Sequence, residues 1–148
     1  SGQVDLVIGH HAHVPQPFAL LPGGPDGTGM WVAYGLGNYI SNQGAPCCSA
    51  KTDSGLLMLA TIRKPVDGPA RVESMEWTAV TVDRGDGHKV QPLSVLGAAG
   101  QGVGSLSPAE VAARLQRVTD VVGTQAPSTV TPPTPSGPGP TLDRVATG

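Results

Sequence analysis

The sequence has few cysteines, few aromatic residues and no marked excess of charge of either sign. Of its 148 residues two are cysteines and 3% are aromatic, and the formal net charge is −2. A disulfide-rich scaffold needs several cysteine pairs, so that class is excluded. A charge this close to zero offers no electrostatic basis for a nucleic-acid partner, and we expect none. No apolar run approaches the roughly 20 residues that cross a bilayer.

Glycine and proline are abundant instead. The chain has 21 Gly and 15 Pro in a composition that is 39% hydrophobic. This indicates a folded part with many turns, together with a segment that has too little apolar content to fold. That segment is the stretch 124–148, which is rich in Pro, Thr, Ser and Gly. We predict a folded part at 1–123 and a disordered tail at 124–148.

Short runs rich in β-branched residues predict a chain made mostly of strands. We expect strands over 4–8, 30–34, 55–63 and 71–82, with a shorter one near 89–95. Two connections carry Asp-Gly, which is typical of hairpin loops. The fold class predicted is α/β, mostly strands with one late helix.

The helix is predicted over 107–122. Ser107 is the expected N-cap, Pro108 the first helical residue, and Glu110 completes a capping box. One face then carries an apolar stripe, formed by Val111, Leu115, Val118 and Val122. The glycine-rich stretch 97–106 is predicted to be a flexible connection to this helix.

The stretch GHHAHVPQ holds three of the chain's four histidines, His10, His11 and His13. It directly follows the first predicted strand, and strand ends are a usual place for functional side chains. Imidazole is a common transition-metal ligand, and His11 and His13 alternate, so both can converge on one ion or on two neighbouring ions. Two other interpretations stay open, namely loop histidines bonded to the backbone, and a role in proton transfer or anion contact. His88 is interpreted as an exposed turn residue.

Three segments, VDLVIGHHAHVPQPF, VAYGLGNYISNQ and SGLLMLATI, resemble in this order the C-terminal part of the bacterial capsule-synthesis CapA family. The likeness runs from residue 4 to about residue 63, and more loosely to about 123. It implies that 1–123 is the C-terminal portion of a calcineurin-like metallophosphatase fold, which is an α/β sandwich. It also implies an association with poly-γ-glutamate capsule, and thereby a location at the cell envelope or outside the cell.

The resemblance also suggests roles for individual residues. Metallophosphatases of this type end their metal site with a strand followed by Gly-His-x-His. An ungapped alignment makes His11 and His13 the metal ligands, and leaves His10 as a catalytic neighbour that contacts a substrate phosphate or carboxylate when protonated. A second alignment makes His10 and His13 the ligands. Asn38 is interpreted either as a group that orients a site residue or as a turn residue, and Gln16 as a residue that pins the histidine loop to the backbone.

The complete site of such enzymes needs acidic and Asn-His elements that come earlier in the family's longer chains, and none is identifiable here. In the complete protein, we expect two divalent ions (Mn, Fe, Zn or Mg). These ions would assist hydrolysis of a phosphoester or of poly-γ-glutamate. The expected partner is the missing N-terminal half of the same domain. The alternatives are a non-catalytic envelope module that binds a polymer or partner, and a small stand-alone metal-binding protein.

The two cysteines, Cys47 and Cys48, are adjacent. Neighbouring cysteines rarely pair with each other, so we expect two free thiols in a loop. Disulfides to partners elsewhere in a longer secreted chain are the alternative.

Overall fold

Six strands form two separate sheets in the computed structural model, which describes residues 2–129. The elements are β1 (Leu6–Ile8), β2 (Phe18–Leu21), β3 (Met30–Ala33), a 3-10 turn η1 (Ala50–Asp53), β4 (Ser54–Arg63), β5 (Arg71–Asp83), β6 (Lys89–Gln91), α1 (Leu93–Ala99) and α2 (Pro108–Val122). The predicted α/β class, with mostly strands, is confirmed.

The first sheet has the order β1-β3-β2, with β1 parallel and β2 antiparallel to the central β3. Gly9 follows β1 and continues its pairing, because its N–H donates to the carbonyl of Ala33 at 2.7 Å. A Cβ at Gly9 would lie 2.1 Å from the carbonyl oxygen of Tyr34, so only glycine fits this close approach. The histidine loop therefore leaves the sheet from a fixed point. Strand β2 was not predicted from the sequence.

The second sheet has the antiparallel order β4-β5-β6, and both Asp-Gly connections form its hairpins. The β5 side chains Met75, Trp77 and Ala79 lie in the core, and the second half of β5, from Trp77 to Asp83, is buried on both faces. The other side of this core comes mainly from the helices, with Leu93, Val111, Val118 and Val122. This packing joins the second sheet to α1 and α2.

The predicted helix over 107–122 is confirmed as α2. The Ser107 hydroxyl accepts a hydrogen bond from the backbone N–H of Glu110 at 3.2 Å. The Glu110 carboxylate accepts from Arg114 Nε at 2.9 Å, one helical turn further on. The N-cap is thus as predicted, whereas the reciprocal half of the capping box is replaced by an ion pair.

The prediction of a flexible connection over 97–106 is wrong at its start, because α1 occupies Leu93–Ala99. A Cβ at Gly97 would lie 2.3 Å from Leu115 Cδ2, so this glycine lets α1 approach α2 closely. Gly100 ends the helix in the left-handed conformation, with φ 63°, and its N–H returns to the last helical turn. The glycines thus serve packing and capping rather than flexibility.

The start of the predicted tail packs against β5. Trp77 Nε1 donates to the carbonyl of Ala126 at 3.0 Å, and the Trp77 backbone bonds Pro127 and Thr129. Ala126 itself is buried. The packed part of the chain therefore continues past residue 123, and the rest of the predicted tail, 130–148, lies outside the described residues.

Candidate functional site

The histidine loop places two imidazoles side by side at the end of β1. His11 and His13 both have left-handed backbones, with φ 82° and φ 59°. Their ring centroids lie 6.0 Å apart with an interplanar angle of 49°, and both residues are exposed. A left-handed backbone costs a non-glycine residue about 1 kcal/mol or more, and such residues cluster at functional sites. The loop thus holds the pair in a conformation that a relaxed loop would avoid.

The far end of the loop is tied back to the chain that follows β3. The N–H of Gln16 donates to the carbonyl of Gly35 at 2.9 Å, and Pro15 forms an isolated bridge with Leu36. A Cβ at Gly35 would lie 2.9 Å from Gln16 Oε1, so the glutamine side chain also packs on this backbone. Gln16 thus lies where the sequence suggested, pinning the loop at its end.

Asn38 contacts the histidine loop through its side chain. It is 7% exposed, and its Oδ1 lies 2.8 Å from His13 Nδ1. Its Nδ2 donates to the carbonyl of Thr52 at 2.8 Å and to Gln43 Oε1 at 3.3 Å. Every polar atom of the Asn38 side chain thus has a partner, and one of these partners is His13.

The segment that carries Asn38 crosses from the first sheet to the second. Leu56 N–H donates to the carbonyl of Leu36 at 2.7 Å, and Asn38 N–H donates to the carbonyl of Ser54 at 3.4 Å. Gly37 makes this crossing possible, because its φ is +70° and a Cβ there would lie 2.8 Å from the Ser54 carbonyl oxygen. Asn38 therefore links the histidine loop to η1 and β4.

The other two histidines lie apart from this ring contact. His10 is exposed at the start of the loop. His88 is exposed in the β5–β6 hairpin with φ 57°, as expected for a turn residue, and its Nε2 lies 2.6 Å from Asn42 Oδ1. Among residues 2–129, no group of three or more His, Cys, Asp or Glu side chains is arranged to hold a metal ion. Within this part of the chain, no third side chain of these types joins the His11–His13 pair in such a group.

The prediction of two free thiols is wrong, since Cys47 and Cys48 form a disulfide with each other. Both residues are exposed in the loop that follows Asn38. Their N–H groups both donate to the carbonyl of Gly44, at 3.1 and 3.0 Å, so the backbone forms a tight turn there. This turn brings the two sulfur atoms together, which sequence spacing alone did not indicate.

A small pocket lies beside the histidine loop, between η1 and α2. Its walls include Pro15 of the loop and two cationic side chains, Lys51 and Arg117. Asp53 Oδ2 lies 3.5 Å from Arg117 Nη2, so the positive charge at the pocket is partly balanced. Neither cation was singled out by the sequence analysis, because they lie far from the histidine motif along the chain.

The histidine loop lies within the part of the chain that resembles a known family. Residues 1–43 match the family model described as bacterial capsule synthesis protein PGA_cap. The resemblance to the capsule-synthesis CapA family is thereby confirmed over that segment, which includes the histidine loop and Asn38. No curated protein and no solved structure gives a significant match to the chain.

Neither helix found within residues 2–129 is long and apolar enough to cross a membrane.

Proposed function

We propose that the chain is part of a CapA-like capsule-synthesis protein in which His11 and His13 hold a divalent metal ion. The observation that carries the proposal is the contact between the two rings, 6.0 Å apart, on the loop that the family model matches. Neutral imidazole is a preferred ligand of Zn and Fe. The ring contact joins His11 to His13, and this favours their pairing over that of His10 with His13.

Two histidines bind an ion weakly, because protein metal sites usually have three or four protein ligands. The remaining ligands would come from the missing N-terminal half of the same domain. The exposure of β1 supports such a partner, since Val7 is 41% and Ile8 44% exposed in a strand that pairs in parallel. Parallel strands are normally covered on both faces. A covering segment would bury these residues and bring further ligands to the end of β1.

In the complete protein, the bound ions would supply Lewis-acid activation of water for hydrolysis of a phosphoester or of poly-γ-glutamate. His11 and His13 would hold the ions, and the exposed His10 would contact the anionic group of the substrate. Asn38 is buried behind His13, so its role is positioning rather than contact with substrate. Lys51 and Arg117 in the adjoining pocket would favour a negatively charged substrate.

The experiment compares metal binding by the wild-type chain with binding by a His11→Ala, His13→Ala double variant. Calorimetric titration with zinc should show about one ion per wild-type chain, bound weakly but saturably, because only two protein ligands are present. Metal at about 100 times its Kd should raise the free energy of unfolding by about 2.7 kcal/mol. The double variant should show neither effect, whereas a His88→Ala variant, which removes a histidine from the hairpin, should behave like the wild type.

The alternative is a non-catalytic envelope module, favoured by the finding that no third ligand joins the pair within residues 2–129. Equal, negligible metal binding by all three chains would contradict the proposed metal site and favour this alternative. The chain would then act as a binding surface for a capsule polymer or a protein partner.

A further inference from the structure

The orientation of the Asn38 side-chain amide is fixed by the backbone. The carbonyl of Thr52 can only accept a hydrogen bond, so the amide group of Asn38, 2.8 Å away, must be its NH2. The second hydrogen of that NH2 has its own acceptor in Gln43 Oε1 at 3.3 Å. The amide oxygen of Asn38 therefore faces the histidine loop.

This orientation decides which nitrogen of His13 carries the proton. The Asn38 oxygen can only accept, so His13 Nδ1, at 2.8 Å, must donate. A neutral imidazole has a single N–H, and its other nitrogen then offers a lone pair. We infer that Asn38 is a positioning residue that holds His13 in its Nδ1–H tautomer and presents Nε2 to the metal ion. The part concerning the metal rests on the proposed function, whereas the tautomer does not.

The backbone around Thr52, whose carbonyl accepts from Asn38, is held in place by further hydrogen bonds. The hydroxyl of Thr52 donates to the carbonyl of Ser49 at 2.7 Å, within η1. The next residue, Asp53, has its carbonyl held by the Thr81 hydroxyl of β5 at 2.8 Å. Partners of this kind, behind a metal-bound histidine, fix its ring orientation and tautomer. The second sheet, through η1 and Asn38, thus determines which ring nitrogen of His13 carries the proton, although His13 lies at the end of the first sheet.

The test measures the tautomer directly in the metal-free chain. Long-range 1H–15N NMR on histidine-labelled protein at about pH 8, well above the ordinary histidine pKa of about 6.5, distinguishes the two ring nitrogens. His13 should show a protonated Nδ1 and an unprotonated Nε2. In Asn38→Leu, which has similar volume but no acceptor, the signals should move toward the tautomer mixture of a free side chain. Circular dichroism and unchanged His88 signals show whether the leucine variant is folded, so a misfolded variant is not mistaken for a loss of the tautomer.

The neighbouring Asn42 offers a matched control. Its side chain contacts His88 and not His13, so Asn42→Leu should change only the His88 signals. A wild-type His13 that is protonated at Nε2, or that is a mixture of tautomers, would overturn the inference. So would unchanged His13 signals in a folded Asn38→Leu variant.

A second arm separates this inference from the proposed function. If both hold, Asn38→Leu should bind zinc about 10- to 100-fold more weakly than the wild type. A wild-type chain that shows the Nδ1–H tautomer but binds no zinc would sink the proposed metal site and leave the positioning role of Asn38 intact. Zinc binding through a His13 that is protonated at Nε2 would support the proposed metal site and overturn the positioning role of Asn38.

Discussion

Replacing Arg114 with methionine should destabilise the fold strongly, because this arginine is the centre of a buried polar network. Its side chain is 8% exposed, and its Nη1 donates to Thr81 Oγ1 at 2.8 Å and to the carbonyl of Val82 at 3.1 Å. Its Nε lies 3.5 Å from Asp53 Oδ2, in a side chain that is 6% exposed. The network anchors α2 to β5 and to η1, which carries the carbonyl that holds Asn38.

The expected cost can be worked out from these contacts. Removing one partner of a buried ion pair costs about 3–5 kcal/mol, because the other charge is left behind. Asp53 keeps a hydrogen bond from Ser54 Oγ and a 3.5 Å contact with Arg117, which lowers the cost. Methionine retains much of the aliphatic volume of Arg114. We expect Arg114→Met to lower the free energy of unfolding by about 3 kcal/mol.

Arg117→Met is the matched control. Arg117 is 30% exposed and its Nε is buried with no hydrogen-bond partner among the described residues. Asp53 would keep Arg114 in this variant, so the loss should be about 1 kcal/mol or less.

Urea denaturation followed by tryptophan fluorescence measures both variants, since Trp77 is 3% exposed in the core. For an m value of about 1.5 kcal/mol/M, the Arg114→Met midpoint should fall by about 2 M. An Arg114→Met protein within about 0.5 kcal/mol of the wild type, or equal losses in the two variants, would refute this account of the network.

Three further predictions concern other parts of the fold. Burial raises the pKa of Asp83, but hydrogen bonds from Ser105 and neighbouring N–H groups outweigh it and hold the pKa below its usual value. Its charge therefore stabilises the fold above a pH of about 3.9, and this contribution is lost as the pH falls through the folded-state pKa. In acid titrations followed by circular dichroism, Asp83→Asn should be less stable than the wild type at neutral pH and lose stability less steeply below about pH 4; parallel curves would disprove this. Gly37→Ala should cost about 1–3 kcal/mol in urea denaturation because of its φ of +70° and the nearby carbonyl, and a neutral effect would contradict the crossing geometry. Cys47 and Cys48 should resist alkylation in the unfolded, unreduced chain and react after reduction, as mass spectrometry can show; alkylation without reduction would mean that the disulfide is absent.

Hydrophobic periodicity predicted the longest elements well. The strand β5 was predicted from its apolar residues although their alternation is imperfect, and the capping signals of α2 are local and readable in the sequence. The α1 helix was missed because Gly97 and Gly100 suggest flexibility, whereas in the fold one packs against Leu115 and the other caps the helix. The meaning of those glycines depends on contacts with α2 that sequence spacing does not show.

The candidate site was predictable only in part, namely in its histidines, Asn38 and Gln16. The motif identified His11 and His13 as a pair, and the structure brings their rings into contact. The roles of Gln43 and Thr52 were not predictable, since one lies in a loop and the other contributes a backbone carbonyl. Backbone atoms carry no residue-type signal, so a site built on them appears only once the two sheets are assembled.

The most direct test of the account follows the ring nitrogens of His13 by 15N NMR during a zinc titration of the wild-type chain. On zinc binding, the Nε2 signals of His13 should shift, with a saturating change in His11, while Nδ1 of His13 stays protonated and bonded to Asn38. Zinc-dependent change confined to His88, or no change in any histidine, would contradict the claim that this loop is a metal site.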